Sequence, residues 1–169
     1  MRMLFAVILL TTLWQVQAKN LQAFIENPET VGEARLSVLF WDIYDASLIA
    51  QNGQFNSGGP FALTLTYLRS FDGNDIASRS IDEMRGQGMT DEMKLAKWYQ
   101  ELEQIFPDVQ EGQTITGVMD NNKVSHFYLE DQLIGSIEDA EFGKWFFDIW
   151  LSEKTSEPKM RQQLLGLQK

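Results

Sequence analysis

The stretch VGEARLSVLFWDIYDASLIA, residues 31–50, decides how this chain is read. Apolar and β-favouring residues fill most of it, and Ala34 to Ala50 is expected to form a single strand. Two of its residues do not fit a plain apolar strand. Arg35 stands near the start, and Tyr44 follows nine residues later between Asp42 and Asp45. A guanidinium at the mouth of an apolar strand is either a surface charge or half of an anion site, because its planar fork suits a carboxylate and a tyrosine hydroxyl can add a hydrogen bond.

On its C-terminal side this segment meets QNGQFNSGGP, residues 51–60, a loop rich in Gly and Asn. FALTLTYLRSF follows. Phe61, Leu63, Leu65, Tyr67 and Arg69 fall on one face, and Ala62, Thr64, Thr66 and Leu68 on the other, so a strand with one buried face is expected. DGND at 72–75 reads as a turn and Ile76 to about Arg85 as a helix stopped by Gly86 and Gly88. Thr90 is expected to cap a second helix, which Pro107 ends. Strands at 112–119 and 123–130 are joined by DNNK, and a short strand is expected at 132–137. Asp139 opens a helix to Leu151. Thr155 or Ser156 caps a last helix near Pro158, closed by Gly166. Runs of strands separated by runs of helices argue an α+β fold with an antiparallel sheet packed by helices.

The composition sets limits. A chain of 169 residues, 44 % hydrophobic and 12 % aromatic, is globular and long enough for one domain with a substantial core. Its formal charge of −10 repels phosphate backbones, which argues against a nucleic-acid partner. Residues 1–18, MRMLFAVILLTTLWQVQA, carry a basic start, an apolar run and small or medium residues at Val16 and Ala18. They read as a secretory signal cleaved after Ala18, with an uncleaved anchor as the alternative, and the run is too short to span a membrane comfortably. The expected organisation is therefore a signal peptide, 1–18, and a single domain, 19–169, with no membrane span after cleavage. There is no cysteine, so neither disulfides nor thiol chemistry is available. An exported, disulfide-free domain fits a bacterial periplasm.

Catalytic constellations are scarce. The one histidine, His126, shares a strand face with Tyr128 and reads as a surface or packing residue; no second His and no Cys could join it on a metal. Any Ser-His-Asp set would have to use it. The acidic EDAE, 138–141, suits a helix N-terminus better than calcium. The stripe FGKWFFDIW, 142–150, reads as core that could also wall an apolar pocket. No cofactor is implied.

The order of these segments resembles the chalcone isomerase family. GEARLSVLFWDIYDASL resembles the family strand that carries Gly-x-x-Arg and, further on, a Tyr or Thr. LTLTYLRSFDGNDIASRSIDEMR resembles the strand, turn and helix that bear part of the isomerase site, and FYLEDQLIGSIEDAEFGKWFFDIWL with TSEPKMRQQLLG resembles the C-terminal strand and helix pair. The likeness runs from about residue 31 to 166 and is nearest to the bacterial exported branch. It implies an open-faced β-sandwich: a large antiparallel sheet packed by helices on one face, with the ligand between. It also implies that Arg35 takes the place of the isomerase arginine and Tyr44 that of a first threonine, which is tyrosine in fatty-acid-binding relatives. The remaining isomerase positions fall at about Ile76, Glu83 and Gly143. Isoleucine cannot donate to an oxyanion and glutamate repels one, so the isomerase set looks dismantled.

The resulting expectation is a periplasmic, non-catalytic binder of a small apolar or amphipathic anionic ligand, such as a fatty-acid-like carboxylate. Arg35 and Tyr44 would hold the head group, and Tyr67, Trp145 and Phe146, with Phe40, Leu65 and Phe147, would supply wall. Nine residues along a regular strand put Arg35 and Tyr44 on opposite faces, so a β-bulge near Phe40 to Asp42 is required for them to converge. The alternatives are an isomerase or lyase using Arg35 and a structural or interaction module with a collapsed, aromatic-filled pocket.

Overall fold

The structure is a computed structural model and describes residues 21–168. The expected signal peptide lies outside the described residues. Six strands form one sheet in the order of the chain, β1 (Pro28–Val38), β2 (Trp41–Gln51), β3 (Phe61–Tyr67), β4 (Thr114–Met119), β5 (Ser125–Leu129) and β6 (Gln132–Ile137). Every neighbouring pair is antiparallel. Helices α1 (Gly73–Gly86) and α2 (Glu92–Ile105) are inserted between β3 and β4. Helices α3 (Ala140–Leu151) and α4 (Pro158–Leu164) follow β6. The architecture is the expected α+β sheet packed by helices, and no described helix is long and apolar enough to cross a membrane.

The period-2 pattern decides what faces the helices. Ala46, Leu48 and Ala50 of β2, Phe61, Leu63, Leu65 and Tyr67 of β3, Ile115 and Met119 of β4 and Phe127 of β5 all point into the main core. Met84, Trp98, Leu102, Phe142, Phe146 and Phe147 meet them from the helices. Ala62, Thr64 and Thr66 share the opposite face, as read from the sequence. There Ala62 and Val118 are covered by Leu21 and Ile25 of the segment before β1. Gly32 lets α4 lie on β1: a Cβ there would sit 2.1 Å from the Gln163 carbonyl oxygen.

Helix starts follow capping chemistry, with small displacements from expectation. Asp139 caps α3 by accepting from Glu141 and Phe142 backbone N–H groups at 3.0 and 3.2 Å. Asp91, not Thr90, caps α2, accepting from Met93 and Lys94. The N-cap of α4 is Glu157, one residue past Ser156 and two past Thr155, with Pro158 in its first turn. Residues 73–75, read as a turn, are already the first turn of α1, with Asp72 as its N-cap.

The main correction concerns residues 34–50, which are not one strand. The chain reverses at Leu39–Phe40, and β1 and β2 form a hairpin in which Val38 faces Trp41. The reversal carries no Gly, Asn, Asp or Pro to announce it. Leu39 instead adopts φ 57°, at the first position of a two-residue loop, where glycine is favoured in type II′ turns. The left-handed conformation costs a leucine roughly 1–2 kcal/mol, and glycine's extra unfolded-state entropy offsets roughly half of that. Leu39→Gly is therefore expected to stabilise the protein by about 0.5–1 kcal/mol, read as a higher urea midpoint at unchanged slope.

Candidate functional site

Between the sheet and the helices lies a cavity of about 460 Å³. Its floor is built by alternate residues of the central strands, among them Leu63, Leu65, Tyr67, Ile115 and Gly117. Phe146, Phe147, Ile149 and Trp150 of α3 form one wall, and Ile76, Arg79, Ser80 and Glu83 of α1 form another. Leu36, Val38, Ile43 and Tyr44 of the hairpin complete it on the side of β1 and β2, and Ser156 and Glu157 reach it from the start of α4. Apolar groups dominate, with a few polar atoms aimed inward, as in sites for small organic ligands.

Tyr44, on β2, packs its ring edge-on against Tyr67 with centroids 6.0 Å apart. Its hydroxyl oxygen accepts a 2.9 Å hydrogen bond from Trp150 Nε1. Burial, opposed by that hydrogen bond, pushes the Tyr44 hydroxyl up to about 12, and Tyr67 is raised in the same direction by burial. Both phenols are neutral donors across the physiological range. A folded-state value above the unfolded one, near 10, means that stability is fully present below about pH 10 and is lost as pH rises towards 12. Two pKa units at Tyr44 correspond to about 3 kcal/mol. Tyr44→Phe is expected to make the alkaline fall of stability between pH 10 and 12 shallower, while leaving Trp150 Nε1 without its acceptor at a cost of about 1 kcal/mol near neutrality. Urea denaturation at a series of pH values measures both.

The rim is charged. Arg79 pairs with Glu83 one helical turn on, and Glu83 also accepts a 2.9 Å hydrogen bond from Ser156 Oγ, tying α1 to the start of α4. Asp75 and Glu157 complete this edge, and Arg79 is the one cation among the described residues that line the cavity.

Arg35 is elsewhere. It lies directly opposite Asp45 in the β1–β2 register, whereas Tyr44 lies opposite Leu36, so the two side chains project from opposite faces of the sheet. Arg35 Nε and Nη2 donate to the two Asp45 carboxylate oxygens at 2.6 and 2.8 Å, and Nη1 donates to Asp42 at 3.0 Å. The side chain is half exposed. These hydrogen bonds raise the Arg35 pKa further and lower that of Asp45. A bulge is present, since the pairing passes from Leu36–Tyr44 to Ser37–Asp42 and skips Ile43. It lies beyond the Arg35–Asp45 pair and so does not turn Arg35 inward. The expected Arg35–Tyr44 clamp does not form.

Of the other expected wall residues, Tyr67, Leu65, Phe146 and Phe147 line the cavity. Trp145 does not. It is partly buried on another side of α3, with the Lys144 ammonium 5.3 Å from its ring, and Trp150, one turn after Phe146, takes the wall position instead. Phe40 is 97 % exposed at the hairpin turn. Arg79, Ser80 and Ser156 line the cavity without any signal in the sequence reading that placed them there. The spacing 76, 79, 80, 83 is a helical stripe that could have placed the α1 residues on one face.

The isomerase positions carried by the resemblance are divided. Ile76 and Glu83 do line the cavity. Gly143 does not: it lets α3 pack on β4 and β5, where a Cβ would meet Met119 Cε at 2.4 Å and Ser125 Oγ at 2.7 Å. His126 sits on the outer sheet face. Its ring nitrogens reach Ser136 Oγ at 2.8 Å and Asp120 Oδ2 at 3.2 Å, beneath the Phe24 ring. Among the described residues no group of His, Asp and Glu is arranged to hold a metal.

Sheet topology, helix placement and an internal cavity between the two layers define a chalcone isomerase-type fold. The chain belongs to the chalcone isomerase-like family, whose pattern it matches over residues 31–166. A protein of Haemophilus influenzae, described as uncharacterized, is 24 % identical over 139 residues, covering 82 % of this chain and 68 % of the relative. Among solved structures the fold is similar to that of an Arabidopsis thaliana fatty-acid binding protein, with a TM-score of 0.61 at 13 % identity over 83 % of this chain and 87 % of the other.

Proposed function

We propose that the protein is a non-catalytic binder of one apolar or amphipathic molecule of the fatty-acid type, held between sheet and helices. The observation that carries this reading is the apolar cavity of about 460 Å³, in which Tyr44 and Tyr67 are the phenols facing the ligand space. The cavity lies within the size range of sites for small organic ligands. The likeness in fold to a fatty-acid binding protein supports the ligand class.

The head group is assigned to the α1 rim instead of to Arg35. Arg79 can turn part of its fork from Glu83 to a ligand carboxylate, with Ser80 and Ser156 nearby on the lining. Catalysis of the isomerase type lacks its donors, because Ile76 stands where a hydroxyl is needed and Glu83 adds negative charge where an oxyanion would form. A collapsed, structural pocket is disfavoured by the open volume itself. An exported, periplasmic location follows from the reading of residues 1–18 and is part of the same proposal.

Native mass spectrometry of the purified protein, with extraction of bound small molecules, tests the reading. Acyl species are expected to co-purify. Arg79→Met is expected to weaken carboxylate retention about 5- to 10-fold, at the strength of one exposed charge-assisted hydrogen-bonding group. Arg35→Met is expected to leave retention unchanged. No ligand in any preparation, together with no uptake of added palmitate or oleate, would refute the proposal.

A further inference from the structure

The tip of the β1–β2 hairpin is apolar and uncovered. Val38, Leu39, Phe40 and Trp41 are consecutive, with exposures of 50, 88, 97 and 59 %. Single exposed apolar residues are ordinary, but four in a row on a projecting turn form a contiguous patch. This patch is retained at an energetic cost, since Leu39 occupies a left-handed position that glycine would fill without strain.

The charges around the tip distinguish it from the rest of the surface. The chain carries −10 overall, but at the base of the tip Arg35 pairs with both Asp42 and Asp45 and offsets one of their two charges, and Asp42 also accepts from Ser37 Oγ at 2.6 Å. Arg69, just beyond β3, lays its guanidinium over the Trp41 ring at 4.2 Å. It makes no ion pair among the described residues. The tip therefore presents an apolar point, then a tryptophan, then a cation that makes no ion pair among the described residues. That sequence matches the layers of a phospholipid surface, where acyl chains give way to an interfacial zone that favours tryptophan and then to phosphates that attract arginine. A convex point also suits a deformable layer better than a preformed protein groove. The patch is continuous with the cavity, because Val38 lines it together with Leu36 and Ile43.

We infer that the β1–β2 tip is a membrane-docking element that inserts Leu39 and Phe40 into the outer acyl region of a phospholipid bilayer, with Trp41 and Arg69 at headgroup level. Docked in this way, the hairpin side of the cavity faces the bilayer, which is the natural reservoir for the amphipathic ligand proposed above. The docking surface itself consists of residues other than the head-group rim.

Vesicles of phosphatidylcholine carrying bromine on the acyl chains quench tryptophans that enter them. The full chain is expected to show quenching of Trp41, identified as the component lost in Trp41→Phe. In Leu39→Asp/Phe40→Asp that component is expected to fall at least tenfold at equal lipid, with an unchanged far-UV spectrum and thermal midpoint. Arg69→Glu is expected to reduce it by a smaller factor. Absence of Trp41 quenching in the native sequence, or equal quenching in the double variant, would overturn the inference. So would a concentration-dependent dimer that the double variant abolishes without any lipid effect, since the tip would then bind a second copy of the chain. The vesicle assay contains no added ligand and the retention assay contains no vesicles, so failure of one proposal is distinguishable from failure of the other.

Discussion

Ser80→Trp is expected to abolish ligand uptake while leaving a folded protein. Ser80 sits on α1, is 7 % exposed, and lines the cavity from the helix side. Among the described residues its hydroxyl bonds only to the Ile76 carbonyl oxygen, one turn back in its own helix, so its loss unpairs no distant group there. A large side chain entering a packed core normally costs roughly 1–3 kcal/mol through strain. Here it enters open volume, and burial of the indole opposes that cost. The space the ligand would use is then filled. Titration with a fluorescent fatty acid is expected to show at least a tenfold loss of affinity, with the thermal midpoint within a few degrees of the parent. Unchanged affinity would move the binding site away from this cavity.

Phe127→Ala is expected to be the most destabilising single change, costing about 3–5 kcal/mol. Phe127 is fully buried in the middle of β5, the strand next to the sheet edge. Its ring meets Phe106 at 5.2 Å, Phe146 at 5.1 Å and Phe142 at 6.3 Å, all edge-on, so one side chain joins the end of α2 to α3 across β5. Truncation removes the transfer energy of the ring and leaves a void beside an existing cavity, which the surrounding rings cannot close. For a domain that sits only 5–15 kcal/mol above its unfolded state, a loss of that size consumes much of the margin. Urea denaturation followed by tryptophan emission measures it; a cost near 1 kcal/mol would show that the aromatic cluster collapses to fill the gap.

The legible parts of the fold were those governed by local chemistry. Alternation in FALTLTY identified both the strand and the face that enters the core, because a strand buried on one side leaves a period of two in its residues. Asp139 announced α3 because its carboxylate satisfies backbone donors three residues away at most. Tyr67 and Phe146, expected as wall, lie on the cavity lining, and Tyr44, expected beside Arg35, lies there without it. Sequence spacing points to Trp145 where the structure places Trp150, because an aromatic-rich helix offers more than one apolar stripe and only packing against the sheet selects one.

Arg35 marks the boundary between what the residues state by themselves and what the assembled structure adds. The sequence alone determined the α+β class, the strand and helix segments other than the first hairpin, and an acidic, cysteine-free composition. These follow from periodicity, capping and charge, which act over a few residues. Tertiary structure alone decided that residues 34–50 turn back at Leu39, that Arg35 faces Asp45 outside the sheet while Tyr44 faces the cavity, and that α1 brings Arg79 and Ser80 to its rim. The physical reason is the same in each case. A side chain's face depends on strand register and helix docking, and these are set by the total burial of distant residues, which here is enough to hold a leucine in a backbone conformation its own type disfavours.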